Sequence, residues 1–183
     1  DDYITELTVP FIGPDRSQWL YPIASVHRSG GMVAFGSDWS VSTANPFHQI
    51  ETAVTRMGAT GNTTEPFLPE QRIDLPLAIA AFTIHAAWVN RQETDTGSIE
   101  AGKYADLIVL DRNLFTLDPV DISETQVLMT MIEGQVVHGD LHEWNVHLAA
   151  SRLYAFDFED VMMALPAQDA AICLYSSRNS DAT

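Results

Sequence analysis

The chain has 183 residues, 46% hydrophobic and 19% charged, with a formal net charge of -16 from 25 acids against 9 bases. That is enough apolar material for one ordinary core, or for one domain with part of another. The acid excess disfavours nucleic acid and anionic membrane surfaces as partners, because binding phosphate takes Lys and Arg. A single cysteine, Cys173, excludes an intramolecular disulfide framework and a multi-Cys zinc site, and no apolar run approaches the roughly 18 residues that span a bilayer.

In chain order, Pro10, Gly13 and Pro14 mark a first loop. Trp19, Ile23 and Val26 recur at helical spacing, with Leu20 and His27 flanking and Ser17 as the expected N-cap. Ser29-Gly30-Gly31 ends that helix, glycine supplying the left-handed cap. Met32 to Gly36 reads as a short buried strand. Pro46 opens the next helix, whose apolar face is Phe47, Ile50, Val54 and Met57. Gly58 to Pro69 is a mobile loop by composition. Asp74 caps a stronger helix running to about Asn90, with Leu75, Ile79, Phe82 and Ala86 as one stripe and Ala78, Ala80, Ala81 and Ala87 permitting close packing.

The texture changes after residue 95. Ala105 to Asp111 reads as a strand, Val127 to Ile132 as another, and Glu133-Gly134 as a hairpin turn into Gln135-Val136-Val137-His138. Residues 140–183 fit neither texture. Val146, Ala149, Ala150 and Leu153 suit a helix, as does Val161 to Leu165, and Ser176 to Thr183 reads as disordered.

Val33-Ala34-Phe35-Gly36-Ser37-Asp38-Trp39 organises these pieces. An apolar run leads into glycine, serine and an acid just past the strand's carboxyl end, where α/β sheets and barrels collect catalytic side chains. Two roles are open to Asp38: catalytic acid, or cap of the next segment. The six histidines form no His-x-His or His-Glu-x-x-His arrangement and read as surface or structural residues. No glycine-rich phosphate loop, Walker lysine or Gly-x-Ser-x-Gly is present, and Cys173 reads as an inert thiol.

Val33 to Trp39 resembles the last barrel strand of the amidohydrolase superfamily, and more closely its amidohydrolase-3 group, with formamide deformylase-like and exoenzyme-regulatory-protein-like members. Gly13-Pro14-Asp15-Arg16, Asn45-Pro46 and Ala53-Val54-Thr55-Arg56 fall in the order the group expects. Leu77 to Ala87 resembles a helix with a Thr-Ile-Asn-Ala-Ala-type pattern, His85 standing where Asn is usual. Gly97 to Asp111 is the most specific stretch and resembles the return from barrel to β-sandwich; Val127 to Val137 resembles the closing hairpin.

The resemblance covers about residues 10–138 and implies a mixed α/β fold: the last βα unit or units of a (β/α)8 barrel, then part of a small β-sandwich. The domains expected from it are residues 1–94 for the barrel portion, 95–139 for the sandwich segment and 140–183 for an atypical extension. It implies a metal-dependent hydrolase of non-peptide carbon–nitrogen bonds in a small-molecule substrate. A divalent metal, commonly zinc, activates the attacking water there. Asp38 is the residue onto which the proton shuttle and metal contact map, and Trp39 either walls the substrate pocket or packs.

The group's His-x-His pair, bridging Lys or carboxylate and later histidines have no counterpart in this sequence, and an eight-stranded barrel needs about 250 residues. The chain, which starts Asp1-Asp2-Tyr3 without Met, is therefore expected to be a C-terminal fragment, inactive and metal-free alone and a homo-oligomer that buries its unpartnered faces. The alternative is a non-catalytic regulatory or interaction protein that keeps the scaffold. Cytoplasm is the default location for a chain with one cysteine.

Overall fold

A computed structural model describes residues 3–39, 41–59, 61, 63, 65–137, 146–149 and 152–155. The chain divides into two units. The first comprises Asp1–Ser98 with Asn113–Thr125, and the second Ile99–Arg112 with Gln126–Thr183. The first is helical and the second is built on strands, so the fold is mixed α/β.

The first unit begins with a π-helical turn, Tyr3–Thr8, and two short helices, α1 (Val9–Ile12) and α2 (Pro14–Ser17). The helix expected from Ser17 starts later, as α3 (Ile23–Arg28) with Pro22 at its N-cap. Ser17 is not that cap; its hydroxyl donates to the Pro14 carbonyl at 3.0 Å. Pro22 fits at the mouth of a helix, where a missing N–H costs nothing. The expected end is found. Gly30, at φ 87°, gives its N–H to His27 O at 2.9 Å, and Gly31 gives its N–H to Val26 O at 3.0 Å, which is the Schellman pattern.

Helix α4 (Pro46–Thr55) has Pro at its start, and the Asn45 side chain accepts the Phe47 N–H at 2.9 Å. Phe47, Ile50 and Ala53 are buried along it. Glu51 is buried on the same helix at 3% exposure, which demands partners for its carboxylate. Its Oε2 accepts the Ser123 backbone N–H at 2.7 Å, and the Ser123 hydroxyl donates to Ala59 O at 3.1 Å. This holds a 3-10 turn, Pro119–Glu124, with Ile122 at 1% exposure. Six residues are too few for periodicity to reveal such a turn.

The strong helix is split. Asp74 caps α5 (Leu75–Phe82), its carboxylate accepting the Leu77 N–H at 2.9 Å. Thr83, at φ -116° and ψ -96°, then interrupts the helix before α6 (Ile84–Val89). The Thr83 hydroxyl bonds back to Ile79 O at 2.8 Å, a contact that bends helices. The buried face is also different: Ala78, Ala81 and Ala87 are inside, while Leu75, Ile79, Phe82 and Ala86 are only half-buried. The reason lies against the break. Gly97 sits at φ 85°, and a Cβ there would stand 2.7 Å from Ala87 Cβ and 2.9 Å from Ile84 Cα. Small residues let the two backbones meet.

The second unit contains an antiparallel sheet in the order β1 (Leu107–Leu110), β2 (Val127–Ile132), β3 (Gln135–Val137). Leu107 pairs with Met131 and Thr130 with Val137. The expected hairpin is present, its turn residues Glu133 and Gly134 both at positive φ, 49° and 77°. The Glu133 N–H donates to Asp106 Oδ1 at 2.7 Å and the Gly134 N–H to Ala105 O at 3.2 Å, securing the turn to the residues before β1. At the sheet's other end, Asp111 takes the Arg112 guanidinium at 2.7 Å on Oδ2 and the Gln126 N–H at 3.0 Å on Oδ1. The Arg112 hydrogen bond, then the Gln126 amide, hold the Asp111 carboxyl below its ordinary range.

Val146–Ala149 and Arg152–Ala155, expected as helix, instead form a second hairpin, β4 and β5, with Val146 opposite Ala155. β-Branched and aromatic residues in the two runs, Val146 and Tyr154, favour a pleated strand over the sparse helical match. The helix expected over Val161 to Leu165, and the readings of Cys173 and of Ser176 to Thr183, lie outside the described residues.

Gly97→Ala forces a Cβ into backbone contact at a left-handed φ and is expected to destabilise the chain by about 2 kcal/mol or more. Urea unfolding followed by circular dichroism measures it; a midpoint unchanged from the parent chain would contradict the packing described.

Candidate active site

Residues 31–37 carry no regular secondary structure, so the strand expected over Met32 to Gly36 is not formed. A strand is defined by its ladder, and no strand pairs with this segment among the described residues. It is held instead by α5 and α6. The Phe35 N–H donates to Ala81 O at 2.9 Å, and His85 Nδ1 lies 2.8 Å from Val33 O. A carbonyl only accepts, so Nδ1 carries the proton. Val33 is buried, and the Phe35 ring meets Phe82 edge-on, centroids 5.5 Å apart and planes at 67°. His85, read with the other histidines as a surface or structural residue, thus anchors the segment that leads to Asp38.

Asp38 follows at φ 50°, a left-handed conformation that Asp tolerates better than most residues. Its own carbonyl accepts the Val41 N–H at 2.7 Å. The loop is tightened around it: Ser37 Oγ accepts the Trp39 N–H at 3.2 Å, and the Ser42 hydroxyl donates to Ser37 O at 2.5 Å. Asp38 is exposed, and among the described residues no hydrogen bond or ion pair reaches its carboxylate. The reading of Asp38 as a cap fails here, because Asn45 caps the next helix. Trp39 is 73% exposed.

A cavity of about 590 Å³ opens beside this loop, within the first unit. That size suits a small organic molecule. Phe35, Gly36 and Phe82 form one wall and α4 another, through His48, Gln49, Thr52 and Arg56. Asp38 and Trp39 are not among the lining residues. The apolar positions of α4 were legible as a stripe. The polar set at 49, 52 and 56 repeats at helical spacing too, and that was the signal available for this second face.

Among the described residues no three His, Cys, Asp or Glu side chains converge on a metal-sized space. Asp38 is a single oxygen donor, and a divalent metal takes several, so the described residues do not by themselves fit a metal centre. No helix among them is long and apolar enough to cross a membrane.

Comparison with known proteins gives a consistent relationship. The sequence model of an amidohydrolase family, the amidohydrolase-3 group, matches residues 2–138. An N-substituted formamide deformylase of Arthrobacter pascens is 36% identical over 63% of this chain and 21% of its own length. Protein LONG AFTER FAR-RED 3 of Arabidopsis thaliana is 33% identical over 69% of this chain and 21% of its own. A 5-methylthioadenosine/S-adenosylhomocysteine deaminase of Symbiobacterium thermophilum is 32% identical over 65% of this chain and 29% of its own. The chain thus spans between a fifth and a third of the length of these curated relatives.

Replacing His85 by Leu keeps an apolar body but removes the donor to Val33 O. The Phe35 amide is expected to exchange about tenfold faster in hydrogen–deuterium exchange, with the β1–β2 amides unchanged. Unaltered exchange at Phe35 would show that His85 does not anchor the segment.

Proposed function

The chain belongs to the amidohydrolase family, and from that premise we propose that the whole protein hydrolyses a non-peptide carbon–nitrogen bond of amide or formamide type in a small molecule, with Asp38 as proton shuttle. Two of the relatives are named for chemistry at carbon–nitrogen bonds, one a formamide deformylase and the other a deaminase. The observation that carries the reading is the state of Asp38: an exposed carboxylate with no partner among the described residues, at positive φ, at the end of a segment pinned by two hydrogen bonds. A carboxylate kept for packing or capping would be bonded; one kept for proton transfer must be reachable.

In the step proposed, water attacks the carbonyl-type carbon while Asp38 takes one of its protons. Asp38 then gives that proton to the nitrogen as the carbon–nitrogen bond breaks, and the carboxylate is regenerated. The products are an acid and an amine, and the atoms balance with water alone. A divalent metal, zinc in this proposal, belongs to the whole protein and would activate that water. Among the described residues, Asp38 is the ligand this chain would offer it. Residues 1–94 are then barrel, 95–139 sandwich and 140–183 an extension, and Trp39 is a wall of the substrate pocket. A non-catalytic, regulatory protein on the same scaffold is the second reading, favoured by a relative whose name denotes no reaction.

Phe11, Trp19, Trp39, Val41 and Trp88 are between 52% and 83% exposed, an apolar load that self-association would cover. This chain alone is therefore expected to form homo-oligomers without turning over substrate; light scattering that returns a stable monomer contradicts the former.

In the whole protein, Asp38→Asn is expected to lower kcat on a formamide and amide panel by about 10²- to 10⁴-fold with little change in fold. Full turnover by the variant would remove Asp38 from the mechanism, and a whole protein inert on every substrate would favour the regulatory reading.

A further inference from the structure

Arg56 occupies an unusual place in this molecule. It ends α4 at φ 62°, is only 9% exposed, and lines the cavity. Its Nε donates to Phe67 O at 2.9 Å, and its backbone carbonyl accepts the Phe67 N–H at 2.8 Å. The guanidinium carbon lies 5.9 Å from the centroid of the Phe67 ring. These contacts fix the stem and one edge of the fork. Among the described residues no carboxylate forms an ion pair with it, and no hydrogen bond is recorded for its two terminal nitrogens. Burial pushes its pKa down, with Glu70 and then Tyr21 opposing from beyond bonding distance. A buried guanidinium is costly unless an anion meets it.

A second orphan lies along the same wall. Gln49 Oε1 is buried and has no hydrogen-bond partner among the described residues, although Gln49 Nε2 donates to Thr43 O at 2.9 Å. Gln49 is on α4 and Arg56 is its C-cap, seven residues on and about 10 Å further along the axis, and both line the cavity. Ile23, Phe35, Met57, Phe67 and Phe82 make most of the remaining lining apolar, with Thr52 on α4 between Gln49 and Arg56. A cation, an acceptor and a largely apolar lining define the complement.

We propose that this cavity is a binding site for a carboxylate: the acid group meets the free edge of the Arg56 fork, an apolar or aromatic body lies against Phe35 and Phe82, and a hydrogen-bond donor, where the ligand has one, reaches Gln49 Oε1. Arg suits the role because its planar fork takes a carboxylate by two parallel bonds. The formal net charge of -16 opposes unspecific anion binding, so uptake of an anion identifies a local site. The carboxylate has two possible sources, a free small molecule or an Asp or Glu side chain of another copy of this chain.

The test uses the 183-residue chain and a matched pair of probes, 3-phenylpropionate and 3-phenylpropionamide, titrated by calorimetry and followed by the side-chain Nε–H signal of Arg56. The acid is expected to bind saturably and to shift that signal, with the neutral amide and Arg56→Lys each weakening binding about tenfold or more. Because the acid and amide are compared on the unaltered chain, the result stands even where the variant fails to fold. If sedimentation shows self-association that 3-phenylpropionate competes away and Arg56→Lys abolishes, the same chemistry holds with a protein carboxylate as its source. Equal affinity for acid and amide overturns the proposal. So does failure of the acid to bind when self-association is also indifferent to Arg56. None of these readouts depends on turnover, so the role of Asp38 stands or falls separately.

Discussion

The approach to Asp38 depends on two hydrogen bonds that take the place of a strand ladder. Phe35 N–H to Ala81 O and His85 Nδ1–H to Val33 O fasten an otherwise irregular segment to α5 and α6. Without them, residues 31–37 would be a loop, and a loop sets the direction of a side chain poorly. With them, the backbone is fixed at alternate residues, Val33 and Phe35, and the edge contact of Phe35 on Phe82 adds to the hold of α5. The tight loop after Gly36 then places Asp38 outward at positive φ.

That anchorage depends in turn on how α5 and α6 break. The bend at Thr83 turns the Ala81 carbonyl and the His85 ring toward the same segment, and Gly97 packs against the bend where no other residue fits. On the other side, the buried carboxylate of Glu51 holds residues 119–124 against α4 through the Ser123 amide. The first is a close approach of backbone at a glycine and the second a side-chain carboxylate on a distant backbone amide. They explain how a unit with few large buried side chains, Ile122 chief among them, keeps a definite core.

Much of this was legible in the sequence. Pro46, Asp74 and Gly30 announced helix ends because the ends of helices obey local rules, and Glu133-Gly134 announced a hairpin for the same reason. The family was legible from ordered motifs. What escaped was set by distant partners. The strand at Met32 had the right composition, yet a strand needs a neighbour, which composition does not supply. The split at Thr83 and the burial of alanines in place of leucines follow from Gly97, fourteen residues beyond the break. Arg56 was noticed only as part of Ala53-Val54-Thr55-Arg56; its isolation in a cavity is a property of three dimensions. Asp38 itself was found from its position after an apolar run, and the choice between cap and free carboxylate fell to Asn45.

The proposed reaction requires Asp38 to deliver a proton to the departing nitrogen. The most direct measurement compares the Asp38→Asn penalty, in the whole protein, on an amide and on the matching ester with an activated phenol leaving group. An amine must be protonated to leave, whereas an activated phenolate leaves unaided. The penalty on the amide is predicted to exceed that on the ester by about tenfold or more. Equal penalties on the two substrates would contradict proton delivery by Asp38.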